Sequence, residues 1–282
     1  MLFTINKTIG LVLCVLLLQG CTSITSLMFY PLKQYPATPA QLGYDYEPVV
    51  HQAFDGTKLY SWWMPAKGDA KGNIVFLHGN AQNISYHQFN IHWLVDAGYN
   101  VFMLGYRQYG QSEGQAMIPD IFMDVHSGLD WVLTQDNGLP VVVFGQSMGA
   151  TLAVYGLASF AQKDKIDGVV LDAAFDGYAT MAAEAMSRHW LTWVLQLPAL
   201  AITRKYDPSQ WIDQWGEKPL LMLHSPDDKT VPYEAGARLY AKALAPKSWV
   251  VTQGAHIRTF QFAQYQQRML QFMEQLSAKE VN

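Results

Sequence analysis

Pro140-Val141-Val142-Val143-Phe144-Gly145-Gln146-Ser147-Met148-Gly149-Ala150 runs directly into Thr151-Leu152-Ala153-Val154-Tyr155-Gly156-Leu157. Four apolar residues, three of them β-branched, lead into a Gly-x-Ser-x-Gly turn, and good helix formers follow at once. The pattern predicts strand, sharp turn and helix. A serine hydroxyl is a poor nucleophile unaided, so the turn has to lift Ser147 clear of the backbone towards a base. Gly145 and Gly149 permit the turn, because a Cβ at either position would collide with the neighbouring strand or helix.

The rest of the chain repeats this alternation. Strand-like runs cover 47–54 and 57–64, separated by the hairpin dipeptide Asp55-Gly56, which predicts an opening antiparallel pair. Buried strands are expected at 73–77, 99–104, 166–172, 219–224 and 248–252, and helices at 85–97, 119–134, 234–243 and 259–278. Strands that are almost continuously apolar and alternate with helices specify an α/β fold. Its mostly parallel central sheet has about eight strands, with helices on both faces.

Composition narrows the function. Half of the 282 residues are hydrophobic, 15% are charged and the net charge is -4, with Lys and Arg scattered rather than striped. That leaves no electrostatic footprint for nucleic acid. The two cysteines, Cys14 and Cys21, both lie near the N-terminus and offer neither a disulfide framework nor a zinc site. Motifs for metals, nucleotides and dinucleotides (His-Glu-x-x-His, Walker A, Gly-x-Gly-x-x-Gly) are absent, so no metal and no organic cofactor is expected.

Gly-x-Ser-x-Gly occurs twice, the second time at Gly110-Gln111-Ser112-Glu113-Gly114. Ser112 lies in a polar loop with no helix directly after it, so it is assigned to a glycine-rich turn and Ser147 to the nucleophile. A serine nucleophile needs a histidine base, oriented by an acid that falls between the two in the chain. Of the histidines after Ser147, His189 sits in a helical insertion and His224 precedes the acid candidates. His256, in the short loop Gln253-Gly254-Ala255-His256, is in order. The acid is expected in Ser225-Pro226-Asp227-Asp228-Lys229-Thr230-Val231-Pro232, where spacing alone does not separate Asp227 from Asp228. Two backbone amides are expected to form an oxyanion hole, worth about 3 kcal/mol each. They are Met148 N–H at the helix start and Asn80 N–H in the loop after the third strand, with His78 holding the loop shape.

Leu77 to Asn80 (LHGN), Gly105 to Gly114 (GYRQYGQSEG), Gly145 to Gly149 (GQSMG), His224 to Pro232 (HSPDDKTVP) and Gly254 to His256 (GAH) together resemble the α/β-hydrolase superfamily. The likeness is strongest to small serine hydrolases with an HGN loop, a group similar to protein depalmitoylases and serine aminopeptidase-like hydrolases. It covers roughly residues 46–278. Relatives often show HGxxDxxVP, and aligning its end with Val231-Pro232 implies Asp228 as the acid. Gln108, where glycine is commoner, and Ser225, in place of the glycine after His224, are minor departures.

The apolar run Ile9 to Leu18 after Lys7 has the length of a signal-peptide core rather than a membrane span. It ends in Leu18-Gln19-Gly20-Cys21, which resembles the lipobox of bacterial lipoproteins. The organisation expected is therefore a signal peptide at 1–20, a lipidated Cys21 with a tether over 21–45 that partly packs on the body, and a hydrolase domain over 46–282. An ordinary secretory signal or an uncleaved anchor is the alternative. Several acyl chains would hold the protein firmly, each buried methylene adding about 0.8 kcal/mol. Thr22 in place of aspartate after the cysteine implies, by resemblance to Gram-negative sorting rules, the outer membrane facing the periplasm. Between strands, 175–215 forms an insertion with Met181, Met186, Trp190, Trp193, Leu195, Leu197 and Leu200. In similar folds a helical cap sits there, and these side chains either line an acyl pocket or pack the cap onto the sheet. The function expected is hydrolysis of an acyl ester or thioester, with no nucleic-acid partner. The alternatives are a peptidase using the same triad and a non-catalytic scaffold lipoprotein.

Overall fold

The computed structural model describes residues 25–187 and 202–277. Eight strands form one sheet: β1 (Glu47–Gln52), β2 (Lys58–Met64), β3 (Asn73–Leu77), β4 (Asn100–Leu104), β5 (Val141–Gln146), β6 (Gly168–Asp172), β7 (Leu220–His224) and β8 (Lys247–Val251). Their spatial order is β1-β2-β4-β3-β5-β6-β7-β8. β1 and β2 form the expected antiparallel hairpin, β2 runs antiparallel to β4, and every other pairing is parallel. The expected α/β-hydrolase architecture is therefore present.

Every residue of β3, β4, β5, β6 and β7 is buried. Alternate side chains serve two separate cores, as the two-residue strand period requires. Val75, Val143 and Leu171 face helices α3 (Ile121–Leu133) and α4 (Met148–Ala158), with α6 (Tyr233–Lys242) beside them. Ile74, Phe144 and Val170 face α2 (His92–Asp96) and the last helix, α7 (Ala263–Ser277). Covering both faces explains why these strands are apolar throughout.

The helix expected over 85–97 is broken into α1 (Ile84–His87), a 3-10 turn at Gln88–Asn90, and α2. Tertiary contacts override local propensity here. Asn83 caps α1 through its side-chain oxygen, Gln88 donates to the Ala37 carbonyl, and Asn90 donates to Gln146 under the turn at Ser147. The segment read as a tether folds as a strap from residue 25 onward. Leu32 N–H donates to Gln82, Gly110 N–H donates to Leu32, and Asn83 Nδ2 donates to Leu32 and Gln34. Within the insertion, α5 (Tyr178–Ser187) follows β6, and Tyr206 and Trp211 pack edge-on against Tyr155 of α4. Trp190, Trp193, Leu195, Leu197 and Leu200 lie outside the described residues, as do His189, Cys14, Cys21 and the segment 1–24.

Gly149 shows how closely α4 approaches the sheet. A Cβ there would run into the carbonyl of Leu77 at the end of β3. Backbone on both sides leaves little room to relax. Gly149→Ala is expected to cost about 3 kcal/mol or more in urea unfolding, and to displace the loop that follows β3.

Candidate active site

Ser147 stands between β5 and α4 with φ 54° and ψ -119°. A non-glycine residue holds that conformation only where its surroundings enforce it. Ser147 N–H donates to the Asp172 carbonyl on β6, and Gly145 and Gly149 admit the chain on either side. The side chain is thereby presented at the carboxyl ends of the parallel strands.

Ser147 Oγ lies 2.9 Å from His256 Nε2, and His256 Nδ1 lies 2.6 Å from Asp228 Oδ2. The carboxylate can only accept, so Nδ1 carries the proton and Nε2 is left as an acceptor for the serine hydroxyl. Asp228 is itself held in place: its other oxygen accepts N–H bonds from Thr230 and Val231 at 2.7 and 3.0 Å. Burial pushes its carboxyl up, but the hydrogen bond from His256 and the two amides outweigh burial and hold it below the usual carboxylate range. Asp227 has a different task. It accepts Gly254 N–H at 3.2 Å and so ties the acid loop to the loop carrying His256.

Asn80 and Met148 follow β3 and β5, which are paired in register at Leu77 and Gly145. Neither backbone N–H meets an acceptor among the described residues. Met148 opens α4, where unpaired amides point out of the helix start. The loop around Asn80 is strained, with Ala81 and Gln82 both at positive φ, 61° and 62°. The Asn80 side chain pins it: Nδ2 donates to Met28, and Oδ1 accepts from Tyr30 N–H and from Tyr109 Oη. His78 is fully buried, donates Nδ1–H to the Gly79 carbonyl at 2.7 Å, stacks with His87 and packs at a tilt against Tyr106.

Ser112 is buried as a bracket, accepting Tyr60 N–H and donating to the Gly105 carbonyl, both at 2.9 Å. His224 donates Nε2–H to the Val231 carbonyl and is enclosed under the acid loop, next to Gly236.

Sequence reasoning missed the layer below. Asp172, the last residue of β6, is fully buried and accepts from Gln146 Nε2 at 2.9 Å and Thr259 Oγ1 at 2.8 Å. Burial raises its pKa to about 6 against those hydrogen bonds and the pull of His256. A lone aspartate closing an apolar strand was the available signal. His78, His87 and His224 are all pushed down by burial, His87 to about 4. A positive charge forming on His256 would therefore interact with the Asp228 and Asp172 carboxyls and with His87 and His224 held uncharged.

More than half of the chain, residues 68–215, matches the family described as "Serine aminopeptidase, S33". The chain belongs to the serine aminopeptidase S33 family. Among its relatives, this S33 chain is 30% identical to the uncharacterized protein YfhR of Escherichia coli O157:H7, over 80% of each chain. It is 26% identical to the lysophosphatidylserine lipase ABHD12 of Macaca fascicularis, over 67% of this chain and 49% of that protein. In structure the S33 chain is similar to the esterase Pf2001 of Pyrococcus furiosus. The TM-score is 0.71 at 22% identity, over 88% of this chain and 99% of that one. It is an α/β-hydrolase.

Proposed function

We propose that the protein is a serine hydrolase that cleaves an acyl ester or thioester through a covalent acyl-enzyme. The observation that carries the reading is the continuous hydrogen-bonded chain from Ser147 through His256 to Asp228. Ser147 Oγ attacks the substrate carbonyl while His256 Nε2 takes its proton. The Met148 and Asn80 amides receive the developing oxyanion, and collapse of the tetrahedral adduct expels the alcohol or thiol, protonated by His256. Water, deprotonated by the same imidazole, then releases the acid and restores Ser147.

An acyl, lipid-like substrate is favoured by the Met- and Trp-rich insertion at 175–215 and by the lipobox-like sequence ending at Cys21. The lysophosphatidylserine lipase among the relatives points the same way. The reading includes lipidation at Cys21 and a place in the cell envelope, on the outer membrane facing the periplasm, with a depalmitoylase-like choice of bond. The family's description favours a second reading, amide hydrolysis of short peptides.

A fluorophosphonate probe should label the protein, and Ser147→Ala should abolish the label. A folded wild type that stays unlabelled would leave only the scaffold reading. Over a series of p-nitrophenyl esters and matched thioesters, kcat/KM should rise from acetyl to octanoyl and exceed that for aminoacyl anilides. An optimum at acetyl with no octanoyl turnover defeats the lipid reading, and a preference for the anilides selects the peptidase.

A further inference from the structure

We infer that the strap at residues 25–32 is a bilayer-contact lip, whose outward side chains Leu27, Tyr30 and Leu32 seat the carboxyl-end face of the sheet on a phospholipid membrane. The inference deepens the proposed function and rests on its anchored reading.

The strap's inward side is fully engaged. Phe29 is buried, and Met28, Tyr30 and Leu32 bond through their backbones to Asn80 and Gln82 in the loop after β3. The strap thus crosses the end of the sheet where Ser147 is presented.

Its outward side is left apolar. Leu27 is 74% exposed, Tyr30 63% and Leu32 40%. Among the described residues, three of the nine most exposed large hydrophobic side chains fall within six consecutive positions. Scattered exposed apolar residues need no explanation, but a cluster beside a functional site does. Lys33 is the only charged residue from Thr25 to Tyr44, so the strap itself brings no carboxylate to the lipid. Its ammonium already donates to the Ser112 carbonyl. Tyr30, with an apolar ring and a polar tip, suits the headgroup boundary.

Chain connectivity selects the bilayer as the occupant. Thr25 follows Cys21 by four residues, which reach at most about 14 Å when fully extended. With Cys21 acylated the strap begins within that distance of the membrane surface, and with the apolar run Ile9 to Leu18 embedded the seven residues from Leu18 allow at most about 25 Å. So short a lead places the lip against the headgroups and brings Ser147 to substrates held in the same membrane.

The test is photocrosslinking with the full chain in vesicles of phosphatidylethanolamine and phosphatidylglycerol. A benzophenone amino acid replaces Leu27, or, as a control, Leu244, which is 46% exposed just before β8 and so lies at the opposite end of the sheet. Position 27 should give at least tenfold more lipid adduct than position 244, and equally so in a Ser147→Ala background. Because the readout needs no turnover, it is independent of the hydrolase reading. Equal lipid adducts at the two positions, or adducts at 27 joining two copies of the chain instead of lipid, would overturn the inference.

Discussion

Ser147→Ala is expected to lower kcat by about 10⁵- to 10⁶-fold on any ester the protein turns over, His256→Ala by a similar factor, and the double variant by no more than either. The reason is that, in the proposed mechanism, the two groups form one device. Without His256 Nε2 at 2.9 Å, the serine hydroxyl keeps its proton. Without Ser147, the imidazole has no nucleophile to activate, and only the oxyanion amides and substrate binding are left. Asp228→Asn should cost about 10⁴-fold, because an amide at 2.6 Å from Nδ1 can present its NH₂ group and favour the wrong tautomer. Asp227→Asn tests the choice between neighbours. Its bond to Gly254 only braces the histidine loop, so a loss of less than about tenfold is expected. Single-turnover kinetics with circular dichroism as a folding control would decide. Losses from Ser147→Ala and His256→Ala that multiply would refute the shared mechanism.

Arg107→Met is expected to destabilise the fold by about 3–5 kcal/mol. Arg107 lies in the loop after β4 and is almost fully buried. Its Nε and Nη2 reach Asp124 Oδ1 at 2.9 and 2.7 Å, its backbone N–H reaches Asp124 Oδ2 at 2.8 Å, and Nη1 reaches Asp55 at 2.9 Å. Asp124, on α3, has no solvent exposure, so removing the guanidinium strands a carboxylate in the core. Asp124→Leu added to Arg107→Met should restore more than half of the loss, the Arg107 amide then being the main group left unpaired.

The pH dependence has a definite sign. Burial lifts the Asp124 pKa to about 6 even against its bonds from Arg107, and without Arg107 the lift is greater. A folded-state pKa above the unfolded value gives stability that is present at low pH and lost as pH rises through the folded pKa. The Arg107→Met deficit should therefore be largest above pH 7 and shrink towards pH 5. Urea unfolding of the single and double variants at both pH values checks this, and a deficit independent of pH would show that Asp124 is not the stranded group.

Much of the fold is legible in the sequence. The strand-turn-helix at residues 140–157, the Asp55-Gly56 hairpin and the all-apolar strands are local patterns, set by side-chain period and glycine placement, and they gave the α/β sheet. The break in the expected 85–97 helix was not legible, because Ala37 and Gln146, whose groups bond to Gln88 and Asn90, lie more than fifty residues away in the chain. Nor was Asp172, whose partners Gln146 and Thr259 are brought to it only by the packing of β5, and of the 3-10 turn Thr259–Gln261 ahead of α7, against β6.

What the sequence determined by itself is which residue types stand at the ends of which strands: Ser147 after β5, the paired aspartates after β7, His256 after β8. Chain order and local conformation suffice for that. Tertiary structure alone separates Asp228 from Asp227 in space, turns Ser112 into a bracket between Tyr60 and Gly105, and shows where the partly packed tether lies, as the strap that holds the Asn80 loop. These distinctions depend on where side chains point relative to distant backbone, and hydrogen bonds discriminate over tenths of an ångström, a scale that residue spacing along a chain does not carry.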